Sequence, residues 1–376
     1  MGALILCAHH PPEPNLYRLD GADVTVTLGN RSAIPAPRRG SGVFERTRTA
    51  TEPALRAAVD RLPPATRCAV GYHFGWWDSD GKDRLGTGGK ALRPALALLA
   101  AEAVGGTPVG MAAVSAVPAA IPAAIAVELV HNFSLLHAEV LHVDVLHGDS
   151  RHRPTVRTTF GTGPAILAGD ALLALAFDVL AATGHPSSAT AARMLGATVT
   201  QLLEGQADER REDVRLDECF RAARRRTAAL LECSAGLGGL FGGGTPAQIA
   251  ALRGFGAELG LAFQLTADLL GIWGGGDPAH SDLRHRRRSL PVVAALATGS
   301  ATAERIADAY RAKHELSDVE VRDLTDALDA DGWRDWCVIE AGRHVRAALD
   351  QLEPGITVER RQDLRAIARL VGDRDR

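Results

Sequence analysis

"ELVHNFSLLHAEVLHVDVLHGDSRHRPT", running from Glu128 to Thr155, is the stretch on which the fold turns. Its first half has helical spacing. Glu128, His131, Leu135, Ala138 and His142 fall on one face, while Ile125, Leu129, Phe133 and Leu136 line another. A polar stripe on an otherwise apolar helix is costly unless it borders a wet cavity. His131 alone reads as a hydrogen-bonded structural histidine; as part of the stripe it becomes a candidate binding residue. Beyond the helix, Asp144 and Asp149 sit in "HVDVLHGD", a loop that either is solvated or turns inward.

Outward from this helix, Ala- and Leu-rich segments of helical length begin at Ala54. They alternate with Gly/Pro breaks at "GGTP" (105–108), "TGHPSS" (183–188), "FGGGTP" (241–246) and "GGGDPAH" (274–280). No run of alternating strands and no internal repeat interrupts them. The expected architecture is all-α, one domain over residues 51–376 with roughly ten or more helices. Residues 1–50, with "AIPAPRRGSG", show no helical period. They read as a flexible or loosely attached leader with a short β-like piece at "DVTVTLGN".

The 376-residue chain is long enough to bury a large core, and 46% hydrophobic with 23% charged residues is ordinary for a soluble globular protein. A net charge of −3 gives no basis for nucleic-acid binding. The five cysteines (Cys7, Cys68, Cys219, Cys233, Cys337) have no CxxC pairing. That argues against a disulfide framework or a zinc ribbon and suits a reducing, cytoplasmic location. The start, "MGALILCAHHPPEP", lacks the basic n-region of a secretory signal. The charge-free stretch from Ala103 to Val127 is broken by Pro108, Pro118 and Pro122, so a loop followed by a buried helix is expected rather than a membrane span.

Three more motifs carry chemistry. In "GGKALRP" (88–94), two glycines precede Lys90 and Arg93, which share a face if a helix begins there. Either these are solvated bases at a helix start, or a point charge and a bidentate fork cradle a phosphate or diphosphate. In "FQLTADLLGIWG" (263–274), Gln264 and Asp268 lie one helical turn apart in an apolar helix, and a buried carboxylate there needs a partner, a metal or a cavity. The bases of "SDLRHRRRSLP" (281–291) form either a solvated face or an anion clamp.

Together these motifs resemble the trans-isoprenyl diphosphate synthase (polyprenyl synthetase) family. The resemblance spans about residues 70 to 375 and rests on seven anchors in order. They are "GGKALRP", "ELVHNFSLLH", "RHRPT", "FGTGPAILAGDALLALA", "EGQADERREDVRLDEC", "RTAALLECSAGLGG" and "FQLTADLLGIWG…SDLRHRRRSLPVVAAL". It implies an isoprenoid synthase helical bundle around a central cavity, usually a homodimer. It also implies condensation of isopentenyl diphosphate with an allylic prenyl diphosphate in isoprenoid biosynthesis, with Mg²⁺ as the cofactor.

Carried over by position, the resemblance assigns Lys90, Arg93, His131 and Arg151 to isopentenyl diphosphate. Arg226, Arg287 and Arg288 fall to the allylic diphosphate, and the cavity-lining Gln206, Asp208 and Gln264 are kept. The family's first Asp-Asp-x-x-Asp motif is absent: Ala138, Glu139 and His142 occupy its places. In the second motif Ala267 leaves Asp268 alone. Metal ligands are then expected from Glu139, His142, Asp144 and Asp268, with Asp149 as a further candidate. Phe133 is expected to cap the cavity floor and favour a short product of roughly ten to fifteen carbons.

Three functions follow from the resemblance: a prenyltransferase with a rewired or impaired metal site, an inactive homologue that binds prenyl diphosphates or partners an active subunit as a heteromer, and a terpene cyclase. The last fits poorly, because a cyclase has no use for Lys90, Arg93, His131 and Arg151.

Overall fold

The computed structural model describes residues 41–84, 91–105, 116–141, 154–208, 215–274 and 280–372. Among them are sixteen α-helices and one π-helical turn; the one β-type pairing is an isolated bridge between Trp77 and Asp83. In chain order the helices are α1 (Ser41–Val59), α2 (Pro64–Phe74), α3 (Leu92–Val104), α4 (Ala116–Leu141), α5 (Val156–Phe160), α6 (Thr162–Ala181) and α7 (Ser188–Asp208). Then come α8 (Leu216–Ala223), the π-turn (Arg224–Ala228), α9 (Ala229–Phe241), α10 (Pro246–Trp273), α11 (Ser281–Arg284) and α12 (Leu290–Leu296). The last four are α13 (Ala301–Arg311), α14 (Asp318–Ala330), α15 (Trp333–Gln351) and α16 (Gln362–Gly372). The all-α expectation holds.

Several sequence breaks become helix ends for local reasons. "FGGGTP" closes α9 and opens α10, where Thr245 and Gln248 form a reciprocal capping box around Pro246, the first residue of the helix. Such a cap stabilises by about 1 kcal/mol. Ser317 and Glu320 do the same for α14.

Alanine and glycine set the packing distances in the core. Helix α3 is apolar around most of its circumference and lies between α4 and α9. Gly238 on α9 touches it so closely that a Cβ would stand 2.0 Å from the Ala97 carbonyl oxygen, so the two backbones are in contact. Helix α10 packs along α9 on one side and α15 on the other, with Phe255 fully buried. As expected, Ile125, Leu129, Phe133 and Leu136 of α4 are buried together.

The last ten residues of the stretch expected to be a leader are helical. Helix α1 starts at Ser41, and Val43 and Thr47 are buried. Threonine supplies two of the first three buried positions of α1, Thr47 and Thr51 after Val43, which is why no apolar period is visible there. The expected β-like piece lies outside the described residues.

By length and composition alone, α4, α6 and α10 are apolar enough to cross a membrane. In the bundle 72% of the most apolar part of α10 and 61% of that of α4 are covered by protein, against 39% for α6, which makes α6 the least covered of the three.

Candidate active site

One group of polar side chains gathers where the π-turn, α10, α11 and α12 meet. The π-turn is held between two glycines. A Cβ on Gly205 of α7 would lie 2.9 Å from the Arg226 nitrogen, and one on Gly260 of α10 would lie 2.3 Å from Ala228 Cα. Single π-turns of this kind recur at functional sites because they displace side chains from the helical register. Here the displaced side chain is Arg226, half-buried, whose charge acts on both Asp268 and Asp282.

Asp268 is buried at 5% exposure. Its Oδ1 accepts from Gln264 Nε2 at 2.6 Å and its Oδ2 accepts from the Leu290 backbone N–H at 2.9 Å. Gln264 in turn accepts from Thr227 Oγ1 at 2.6 Å. Burial and the neighbouring Asp282 push the Asp268 carboxyl up to about 6, against the opposing effects of Leu290, Gln264 and Arg226. Asp282 is also buried and shifted upward by burial, opposed by Arg287, whose Nη1 lies 3.5 Å from its Oδ1. Arg287 and Arg288 are exposed.

A second polar group lies between α2, α3 and α4. His73 Nε2 pairs with Asn132 Oδ1 at 3.0 Å, and Asn132 Nδ2 donates to the Glu128 backbone carbonyl at 2.8 Å. Desolvation, then the charges of Arg93 and His73, hold His131 well below the usual imidazole range, so it is a neutral hydrogen-bonding group near pH 7. Desolvation raises Glu128, opposed first by Arg93. Arg93 of α3 therefore shares one electrostatic neighbourhood with Glu128 and His131, the first two residues of the stripe that the sequence marks out on α4.

The polyprenyl synthetase family matches residues 80–328, more than half of the chain. The chain belongs to this family. It is 40% identical over 334 residues to a (2E,6E)-farnesyl diphosphate synthase of Mycobacterium tuberculosis, covering 86% of this chain and 90% of that protein. A geranylgeranyl diphosphate synthase of the same organism is 36% identical over 364 residues, covering 94% of this chain and 99% of the other. Among solved structures, a polyprenyl synthetase from Streptomyces coelicolor superposes with a TM-score of 0.80 at 40% identity, covering 88% of this chain and 99% of that one.

Within this polyprenyl synthetase chain, the structure brings together Arg226, Gln264, Asp268 and Arg287 in one polar group, and Arg93 with His131 in another. Gln206 is placed differently: its Nε2 donates to the Ser134 backbone carbonyl at 3.1 Å, tying α7 to α4. Lys90, Arg151, His142, Asp144 and Asp149 lie outside the described residues.

Three participants escape the sequence reading. Asp282 stands in plain view in "SDLR", but a single acid beside four arginines reads as their surface counterion. Thr227 follows Arg226 directly, and only the π-turn shows that it reaches Gln264. His73 lies 59 positions from its partner Asn132 and carries no sequence signal.

Prenyl diphosphate synthases of this family generally use Mg²⁺. The described residues do not by themselves fit that ion. Among them no group of three or more His, Cys, Asp or Glu side chains is placed to hold a metal. Both Asp268 oxygens already accept hydrogen bonds. Glu139 is buried, with Oε2 accepting from the Arg157 N–H at 3.2 Å and Oε1 lying 3.7 Å from His73 Nδ1.

Proposed function

We propose that the chain is a short-chain prenyltransferase that condenses isopentenyl diphosphate with an allylic prenyl diphosphate, with farnesyl diphosphate as the product class. Two basic neighbourhoods carry this reading: Arg226 with Arg287 beside Asp268 and Asp282, and Arg93 with His131 beside Glu128. The chemistry asks for two diphosphate sites with opposite fates. At the first, the allylic C–O bond breaks and its electron pair leaves with the diphosphate, so cationic groups stabilise growing negative charge. Arg226, Arg287 and Arg288 supply that charge, and guanidinium groups suit it because they stay protonated and bind phosphate oxygens in pairs. At the second, isopentenyl diphosphate keeps its diphosphate, its double bond attacks the allylic cation, and the adduct loses a proton. Arg93 and the neutral His131 bind without needing to change state, and Lys90 and Arg151 belong to this half by position.

Product length is set by Phe133. It is 2% exposed, and its ring stands edge-on to His137 at 4.6 Å. His137 in turn rests on Gly169, where a Cβ would lie 2.4 Å from the imidazole. This backing leaves the phenyl ring little room to yield to a growing chain.

A second copy of the chain is the expected partner, seated on the least covered helix, α6, where Leu167 is 61% exposed, with Leu203 of α7 at 47% beside it. The cytoplasm is the expected location. A second reading, an impaired homologue that binds prenyl diphosphates or partners an active subunit, is favoured by one observation, the lack of a metal-holding cluster among the described residues. Titration calorimetry with isopentenyl diphosphate and with geranyl diphosphate tests the two-site reading. Two independent saturable events are expected, and the absence of either removes the corresponding half-site.

A further inference from the structure

The loop between α11 and α12 carries Arg286, Arg287 and Arg288 in succession, and Arg286 differs from the other two. It sits at φ +51, in the left-handed region. The backbone N–H of Arg286 donates to the Leu283 carbonyl at 3.0 Å and that of Arg287 to the Asp282 carbonyl at 2.7 Å. Together these bonds close α11 in a Schellman turn, whose left-handed position usually holds glycine. An arginine there is strained, and such strain persists only where the surroundings over-determine the conformation.

The surroundings do so through α13. Arg286 Nε donates to the Ala309 carbonyl at 3.1 Å, and a terminal guanidinium nitrogen donates to the His314 carbonyl. Tyr310, next to Ala309, donates its hydroxyl to the Arg287 carbonyl at 3.0 Å. On the other side, the Cys219 thiol donates to the Arg288 carbonyl at 3.6 Å. Arg286 is thus spent on the end of α13, while the reversal of the chain at its left-handed backbone leaves Arg287 beside Asp282.

We infer that Arg286 and Tyr310 form a clasp from α13 that positions Arg287 and Arg288 for the allylic diphosphate. Both are positioning residues, since neither contacts the reacting atoms. The inference rests on the reading of Arg287 and Arg288 as diphosphate ligands.

Two variants test it. Arg286→Gly keeps the Schellman turn, because glycine adopts positive φ freely, and removes the side chain with both of its bonds to the Ala309 and His314 carbonyls. Tyr310→Phe removes one hydroxyl and no charge, so any loss of affinity it causes is not a loss of net charge. Each is expected to raise KM for the allylic substrate about tenfold and to weaken binding of inorganic pyrophosphate by a similar factor. KM for isopentenyl diphosphate and Tm are expected to stay at wild-type values. Wild-type allylic KM and wild-type pyrophosphate affinity in both variants would overturn the clasp. So would a joint shift of both KM values with Tm, which marks a merely structural contact. A wild-type protein that binds neither pyrophosphate nor an allylic diphosphate overturns the parent reading, and the clasp with it; a wild type that binds both, with variants that match it, overturns the clasp alone.

Discussion

Asp268 Oδ2 accepts the Leu290 backbone N–H at 2.9 Å, so a carboxylate from the C-terminal part of α10 caps the first turn of α12 from inside the bundle. Its other oxygen takes Gln264, and Gln264 takes Thr227, which makes one hydrogen-bonded line from the π-turn through α10 to α12. The residue at the place of the second acidic motif is therefore also the joint that sets the base-bearing loop against Arg226.

That joint has a pH signature. The Asp268 carboxyl is raised to about 6 by burial and by Asp282, from 3.8 for the free side chain. A raised acid pKa means that the folded state favours the protonated form. Its ionisation costs no stability below about 3.8, an increasing amount as pH rises toward 6, and the full amount above. Linkage puts the full cost at up to about 3 kcal/mol. Asp268→Asn keeps an acceptor for the Leu290 N–H and removes the charge. In divalent-free buffer the Tm of the variant relative to wild type is expected to rise between about pH 4 and about pH 8. A difference that is constant with pH would count against this.

Arg93→Ala is expected to weaken isopentenyl diphosphate binding at least about tenfold, because a guanidinium that meets a phosphate makes charge-assisted hydrogen bonds. Affinity for the allylic diphosphate should hold. Calorimetry on both ligands checks it, and unchanged isopentenyl diphosphate affinity sinks the assignment of that half-site.

Phe133→Ala removes the floor set against His137 and Gly169. Products longer than those of the wild type are expected, read by chromatography of the dephosphorylated prenols. The variant should also lose about 3–5 kcal/mol of stability, the usual cost of emptying a buried phenyl site. An unchanged product distribution means that chain length is set elsewhere.

Much of this was legible in the sequence. Helical spacing around Glu128, His131 and Phe133, with Gly/Pro punctuation, marks an all-α bundle. The motifs also single out Arg93, Arg226, Gln264, Asp268 and Arg287, which the structure gathers into two polar groups. What was hidden depends on contacts between distant segments. Nothing in "RTAALL" announces a π-turn that brings Thr227 to Gln264, and nothing near His73 points to Asn132. The motif position marks Glu139 as a candidate metal ligand but gives no sign of its contacts with Arg157 and His73. The helical start at Ser41 was missed because Thr47 and Thr51 fill buried positions where an apolar period would show leucine.

Glu258 links α10 to α15 and to the π-turn. It accepts from His344 Nδ1 at 2.7 Å and pairs with Arg224 at 3.2 Å, and these contacts lower its carboxyl below the ordinary 4.5. A depressed acid pKa stabilises the fold above about pH 4.5, and that contribution fades as pH falls through the folded value. His344→Leu removes the leading cause of the depression. Its Tm should fall less steeply than that of the wild type between about pH 4.5 and about pH 3. Parallel acid curves contradict the linkage.

The most direct measurement is turnover of radiolabelled isopentenyl diphosphate by the purified protein, with dimethylallyl, geranyl or farnesyl diphosphate as acceptor and with Mg²⁺, Mn²⁺ or EDTA present. Prenyl transfer predicts a labelled, acid-labile allylic product of short chain length in at least one divalent-metal reaction, and a marked loss of that product when Arg226 is replaced by alanine. No product with any acceptor or metal, from a protein that still binds isopentenyl diphosphate, would contradict it and leave the chain as a binding homologue or partner subunit.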